Sequence, residues 1–321
     1  MPKPKKPLIP AARSTPVAPL GIRELDRFSS ESIDRWTALS KDLDELEANL
    51  YFALEPERRR LRAELIATLQ QHQSTTPVVC QGWVRIVDYQ FSNQPLSSAG
   101  SLTGYGARFN AGMDLDPGTL SPWPALYLAE DYETAYREKF QLKSSDKVDG
   151  LKPEELALTH GRSNSTVLLQ GRIDRVFDMT TPRHLDAVAK VLKKIKMPDR
   201  AKILKKKLGI KQTDLNMIQS GQGLYIAVLK HNWRVQPAQF GLPARSHILA
   251  ELVRAAGFEA ILYKSTMGPG KCLAVFPDKL SGSAHIELED KAPPEVKHTR
   301  LDENTAGDLA GWHILPSNFG W

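Results

Sequence analysis

The sequence predicts an α+β protein, and three observations predict it. Two stretches near the start carry apolar residues at three-four spacing. Short β-type runs of uneven spacing follow them, and helical segments fall between those runs without a regular βαβ alternation. With 321 residues, 41% of them apolar and 25% charged, the chain can bury a full core.

Residues 1–20 hold six prolines and no acid, so they cannot cover a core and are expected to form a flexible or polyproline-like tail. The same prolines interrupt the apolar stretch that a signal peptide needs. Residues 21–75 read as a helical hairpin. Ile33, Trp36, Leu39, Leu43, Leu46 and Leu50 share one stripe, and Pro56 opens a second helix through Leu61, Leu65 and Leu69. That stripe is expected to dock on the main domain, with a partner helix as the alternative. Residues 76–290 form the main domain, with strands at 78–87, 125–129, 258–263 and 272–276, a pair of strands within 165–179, and helices at 131–140 and 246–256. Inside it, 183–222 reads as a lysine-rich helical insert with Val188, Val191, Leu192 and Ile195 on one face. Residues 291–321 are left as a C-terminal tail.

The net charge is +6, and its distribution matters more than its size. The stretch from Lys190 to Lys211 carries nine lysines and one arginine against one acid, so the rest of the chain sums to −3. Local basicity of this kind argues for a solvated helix face and against a broad phosphate-tracking surface. Two cysteines, Cys80 and Cys272, are too few for a disulfide framework and fit a reducing compartment. No window approaches the apolar length of a membrane span, so a soluble, cytoplasmic protein is expected.

Several familiar motifs fail. Gly268-Pro-Gly-Lys271 resembles the end of a P-loop, but Ser265 stands where its first glycine belongs and no Ser or Thr follows the lysine. Gly104-Tyr-Gly106 lacks the third glycine of a dinucleotide fingerprint. The histidines show no HExxH spacing, so no metal site is expected, and no GxSxG elbow is present.

What remains is the stretch from Gly104 to Phe140. Glycines at 104, 106 and 112 allow close backbone approach around Arg108-Phe109-Asn110. A short strand ending near Tyr127 and a helix starting at Asp131 follow, and the helix carries Ala135 and Glu138 one turn apart.

These residues resemble the RES-domain family, which pairs a loop GGRWNxxG with a segment YLAxxxxxAxxE. The loop here is Gly106-Ala-Arg-Phe-Asn-Ala-Gly112, and the segment runs from Tyr127-Leu-Ala129 through Ala135 to Glu138. An upstream family arginine corresponds to Arg85. A serine closing a strand of the form G(F/Y)xAIxYxS corresponds to Ser265 in Gly257-Phe-Glu-Ala-Ile-Leu-Tyr-Lys-Ser265. The resemblance spans about residues 78–289. Ala107 and Phe109 replace the usual Gly and Trp, and the lysine-rich insert has no counterpart.

The resemblance implies an ADP-ribosyltransferase-like mixed β core and a bacterial toxin that breaks the nicotinamide–ribose bond of NAD+. NAD+ is then a substrate, and no cofactor is expected. Glu138, Arg85 and Ser265 would be catalytic; Arg108, Tyr127, Phe109 and Asn110 would bind substrate. Arginines suit a pyrophosphate, an aromatic face suits nicotinamide, and a helix-held carboxylate suits an oxocarbenium-like transition state. The acceptor is water, phosphate or a protein, which leaves glycohydrolase, phosphorylase and ADP-ribosyltransferase open. A third reading is a non-catalytic nucleic-acid-binding module. An enzyme that depletes NAD+ implies a cognate antitoxin or immunity protein, or delivery into a target cell.

Overall fold

The computed structural model describes residues 30–72, 77–116, 118–142, 164–212 and 215–311. The expected tail at 1–20 lies outside them. The described residues form two compact units: those up to Leu50 together with those from Met197 to Asn216, and all the others.

The elements run in the order α1 (Ser30–Phe52), α2 (Glu55–His72), β1 (Val78–Asp88), β2 (Gly106–Ala107), β3 (Asn110–Ala111), β4 (Leu126–Ala129), α3 (Tyr132–Phe140), β5 (Asn164–Ile173) and β6 (Val176–Asp178). Then come α4 (Asp186–Leu192), α5 (Asp199–Lys207), α6 (Gly221–Tyr225) continuing into a π turn (Ile226–Lys230), α7 (Val235–Phe240) and α8 (Arg245–Ala255). Strands β7 (Ala260–Lys264), β8 (Lys271–Val275), β9 (His285–Leu288) and β10 (Arg300–Leu301) lead to α9 (Ala306–Gly311).

The two helices expected as a hairpin fall largely in different units. Leu43 and Leu46 of α1 are buried, as are Ala201 and Leu204 of α5. Arg200 and Lys207 of α5 pair with Glu45 and Asp42 of α1, so the lysine-rich segment supplies charges opposite to those of α1 within that unit. Helix α2 belongs to the larger unit. Its Leu61, Leu65 and Leu69 enter the main core, where it packs against α4 and α8.

The larger unit is built on one eight-stranded sheet in the order β10-β9-β5-β1-β4-β8-β7-β6, antiparallel except where β6 runs parallel to β7. Alternating side chains divide between two apolar clusters, as a pleated strand requires. Along β8, Cys272 and Ala274 face the cluster shared with α2, α4, α6 and α8, whereas Leu273 and Val275 face a second cluster closed by Leu280, Leu301 and Leu309. Strand β1 carries an irregularity between Cys80 and Trp83, where Gly82 takes a φ of +65°. Such a bulge needs a residue free of the Cβ penalty.

Two expectations are corrected. The strands within 165–179 do not pair with each other: β5 joins β1 and β9, and β6 lies at the far edge beside β7. The link between them is organised by the buried Glu259 carboxylate, which accepts from the backbone amides of Asp174 and Arg175, both at 2.9 Å. Residues 291–311 are not all tail either. Leu301 and Leu309 are buried, and the Leu309 carbonyl accepts from both the amide of Ser98 and the hydroxyl of Ser97. Among the described residues no helix is long and apolar enough to cross a membrane.

Candidate functional site

A cleft of about 330 Å³ opens in the larger unit, lined in part by Arg85, Arg108, Tyr127, Glu138, Lys139, Trp233 and Arg234. Each of these side chains is positioned by a distinct local device.

Glu138 sits in the last turn of α3. That helix starts where the Asp131 side chain accepts from the Thr134 amide at 2.8 Å, a standard N-cap. It stops at Gln141, which takes the left-handed conformation with φ 57°. The Glu138 carboxylate is then held from outside the helix: Ser265 Oγ donates to its Oε1 at 2.6 Å and the Thr266 amide does so at 3.2 Å. Ser265 in turn accepts from the amides of Met267 and Gly268, at 3.0 and 2.8 Å. The serine proton thus goes to the carboxylate, and two backbone donors fix the oxygen that carries it.

The turn after Ser265 can reach α3 because of its glycines. A Cβ on Gly268 would stand 2.7 Å from the Thr134 Cα, and one on Gly270 would stand 2.2 Å from Asp131 Oδ2. Gly270 uses the space to donate its amide to Thr134 Oγ1 at 2.9 Å. The stretch that resembles a P-loop end is therefore a packing turn that delivers Ser265 and Thr266 to Glu138.

Arg108 is nearly buried, with 8% of its surface exposed. Its Nη1 donates to the Leu229 carbonyl at 3.0 Å and more weakly to that of Val228 at 3.4 Å, and its Nη2 donates to Thr266 Oγ1 at 3.2 Å. Both carbonyls lie in the π turn, where the widened backbone bonding leaves acceptors for a side chain. Arg85 meets the Tyr127 carbonyl at 3.1 Å and the Ser97 carbonyl at 2.9 Å. Strands β1 and β4 share a single registered pair, Val84↔Ala129, and next to it Arg85 gives Tyr127 a donor that the ladder does not. Burial pushes the Arg85 guanidinium down to about 10, which leaves it charged at neutral pH.

The Tyr127 hydroxyl accepts from the Phe109 amide and donates to Asn110 Oδ1, both at 2.9 Å, and burial holds its pKa above the usual phenol range. Two residues expected to touch a ligand do not reach the cleft wall. Phe109 is fully buried with its ring 4.9 Å from that of Tyr263, so its face is spent on the core. Asn110 is also fully buried. It accepts from the Ala107 amide, donates to the Ser101 carbonyl and accepts from Tyr127, so its amide braces the loop instead. Gly106 needs its φ of +89°, and a Cβ there would stand 2.3 Å from the Asn110 carbonyl oxygen. Ala107 has no positive φ, so replacing the family's glycine costs the backbone nothing there.

Other residues of the site gave no motif to read. Trp233 lines the cleft with the Arg234 guanidinium 4.7 Å above its ring. Arg234 also donates to Gln141 Oε1 at 2.9 Å, and Gln141 Nε2 returns a bond of 2.6 Å to the Glu138 carbonyl. Lys139 pairs with Asp88 at 2.8 Å. His247 is fully buried against the Arg108 loop and bonds the Ala107 carbonyl at 2.8 Å. The Cys272 thiol also lines the cleft, and burial pushes its pKa up, which disfavours the nucleophilic thiolate. Among the described residues no cluster of His, Cys, Asp and Glu is arranged to hold a metal ion.

The chain carries a match to the family model described as RES domain over residues 83–297. It belongs to the RES-domain family. Among solved structures, a chain from the "Crystal structure of the M.tuberculosis MbcT-MbcA toxin-antitoxin complex" is similar at 12% identity, over 77% of this chain and 96% of that one, with a TM-score of 0.38. No curated protein matches the chain. The RES match takes in Arg85, the Arg108 loop, α3 and the Ser265 turn, which are the parts that build the cleft.

Proposed function

We propose that this RES-domain protein cleaves the nicotinamide–ribose bond of NAD+. The observation that carries the reading is one carboxylate, Glu138, clamped by Ser265 and Thr266 in a cleft whose other charged lining groups are Arg85, Arg108, Lys139 and Arg234. With Lys139 already paired to Asp88, three arginines against one acid suit a ligand with two phosphates. The lone acid suits positive charge developing at a sugar carbon.

In this reading nicotinamide leaves with the electron pair of its bond to the ribose carbon. Glu138 stabilises the positive charge left on that carbon and accepts a hydrogen bond from a ribose hydroxyl. An oxygen of water or phosphate then bonds to the carbon from the opened face, and the attacking group gives its proton to solvent. Tyr127 and Trp233 offer aromatic surface to the pyridine. Arg108 and Arg85, anchored by backbone carbonyls, set the potential of the cleft wall, and Arg234 adds an exposed cation to it. Ser265 is a positioning residue, since its hydroxyl acts through Glu138. An ADP-ribosyltransferase-like core, a toxin role and an inhibitory protein partner belong to the same proposal and rest on the family resemblance.

The test is a time course of nicotinamide release from NAD+ by the purified chain, with and without phosphate. Glu138→Gln is expected to lower the rate about a hundredfold or more with an unchanged circular dichroism spectrum. A wild-type chain that leaves NAD+ intact, or a Glu138→Gln variant of wild-type rate, overturns the proposal.

A further inference from the structure

Four cations among the described residues line the cleft, and three of them are already occupied. Lys139 pairs with Asp88 at 2.8 Å. Both terminal nitrogens of Arg85 donate to backbone carbonyls, and those of Arg108 donate to the Leu229 carbonyl and to Thr266 Oγ1. These two arginines give the wall their charge, but their terminal nitrogens are spent on the protein. Arg234 differs. It is exposed, only its Nη1 is engaged, at 2.9 Å from Gln141 Oε1, and its Nε and Nη2 have no acceptor among the described residues.

Exposure does not leave this side chain loose. The guanidinium carbon lies 4.7 Å from the centre of the Trp233 ring, a cation–π distance. The Arg234 amide donates to Asn232 Oδ1 at 3.1 Å, which fixes the turn between the π turn and α7. The π turn also supplies the Leu229 carbonyl to Arg108, so one short run of chain, 229–234, sets both arginines. Partial enclosure by the cleft wall lowers the pKa of Arg234, the Arg108 cation adds to the fall and Glu138 opposes it. An anion bound beside both cations would ease their repulsion.

We infer that Arg234 grips the pyrophosphate of a dinucleotide through its free Nε and Nη2, and so sets the preference of the cleft for diphosphate-bearing ligands. The inference rests on the NAD+ reading for its ligand. The Nε–Nη2 edge of a guanidinium matches two oxygens of a phosphate as a bidentate pair. Trp233 and Gln141 hold that edge in advance, which lowers the ordering cost of binding. Arg234 lies outside every motif by which the chain resembles its family.

The test uses the full-length chain and ADP-ribose, which carries the pyrophosphate and lacks nicotinamide, with AMP as the monophosphate comparison. Calorimetry is expected to show saturable binding of ADP-ribose, about tenfold tighter than AMP. Arg234→Gln is expected to weaken ADP-ribose about tenfold, and Arg234→Lys, which keeps the charge and loses the fork, to recover about threefold of that loss. The phosphorus resonances of ADP-ribose are expected to shift with the wild type and to shift less with Arg234→Gln. A role exercised only through α3 would make Gln141→Ala, which cuts the tie to that helix, as damaging as Arg234→Gln; it is expected to cost less than about threefold. No saturable binding of ADP-ribose, binding no tighter than that of AMP, an Arg234→Gln variant of wild-type affinity, or equal losses in Arg234→Gln and Gln141→Ala overturns the inference. Nicotinamide release is not among these readouts. A chain that holds ADP-ribose through Arg234 and leaves NAD+ intact sinks the cleavage reading alone.

Discussion

His247 is a buried residue outside the cleft that braces the loop carrying Arg108. Its Nδ1 lies 3.3 Å from the Ala244 amide and its Nε2 is 2.8 Å from the Ala107 carbonyl. An amide can only donate, so Nδ1 accepts and the single ring proton sits on Nε2. Burial pushes the imidazole down to about 4, below its ordinary 6.5. The unfolded chain therefore takes up a proton near pH 6.5 while the folded chain resists until about pH 4, and stability falls as pH drops through that window. The loss amounts to about 3 kcal/mol at most, at about 1.4 kcal/mol per tenfold change in proton affinity. Urea denaturation at a series of pH values is expected to show this decline in the wild type and a flatter profile for His247→Gln. Parallel profiles would mean that His247 is not the residue responsible. At this scale the sequence was a mixed guide. Arg108, Tyr127 and Glu138 could be picked out because glycine spacing and a helix start frame them. Phe109 and Asn110 were misjudged because adjacent residues in a tight loop point in different directions, and residue type alone does not say which one faces the cleft.

At the scale of elements, the longer strands and helices were legible from periodicity: β1, α3, α8, β7 and β8 fall close to their expected bounds. Their partners were not. Nothing local tells β5 and β6 to part, since the cause is the distant Glu259 carboxylate and the register of β7. Strand β10, two residues long, carries no pattern at all. The π turn was invisible too, although it gives Arg108 its carbonyls, because its Ile226-Ala-Val-Leu-Lys230 sequence reads as ordinary helix. The turn between β7 and β8 makes a sharp prediction at this scale. A Gly268→Ala side chain collides with backbone, the Thr134 Cα at 2.7 Å, and the turn must move away from α3 to relieve it. The expected cost is about 1–3 kcal/mol of stability, together with loss of nicotinamide release as Ser265 and Thr266 withdraw from Glu138. Gly307→Ala, which meets nothing within 4 Å, is the control and is expected to keep both. Equal melting temperatures for the two variants would show that the turn tolerates displacement.

For the whole molecule, the question is what the positive charge is for. The +9 concentrated between Lys190 and Lys211 invites a nucleic-acid reading, yet many of these cations have local partners. Arg200 is 2.6 Å from Glu45, Lys207 is 2.7 Å from Asp42, Lys202 is 2.7 Å from Asp199 and Lys194 is 2.5 Å from Glu64. Lys205 is nearly buried and spends its ammonium on Gln212 and the Leu215 carbonyl. A phosphate backbone would have to replace contacts already made. Exposed pairs of this kind are each worth little, so the argument rests on their number and on the acids that travel with them, which dilute the field any polyanion would meet. A labelled DNA duplex titrated with the full chain at physiological salt is accordingly expected to bind more weakly than about 10⁻⁴ M. Micromolar binding that collapses between low and moderate salt would show the segment to track phosphates, and its loss in a Lys193→Gln, Lys196→Gln, Lys206→Gln variant would assign it to lysines that have no carboxylate partner among the described residues.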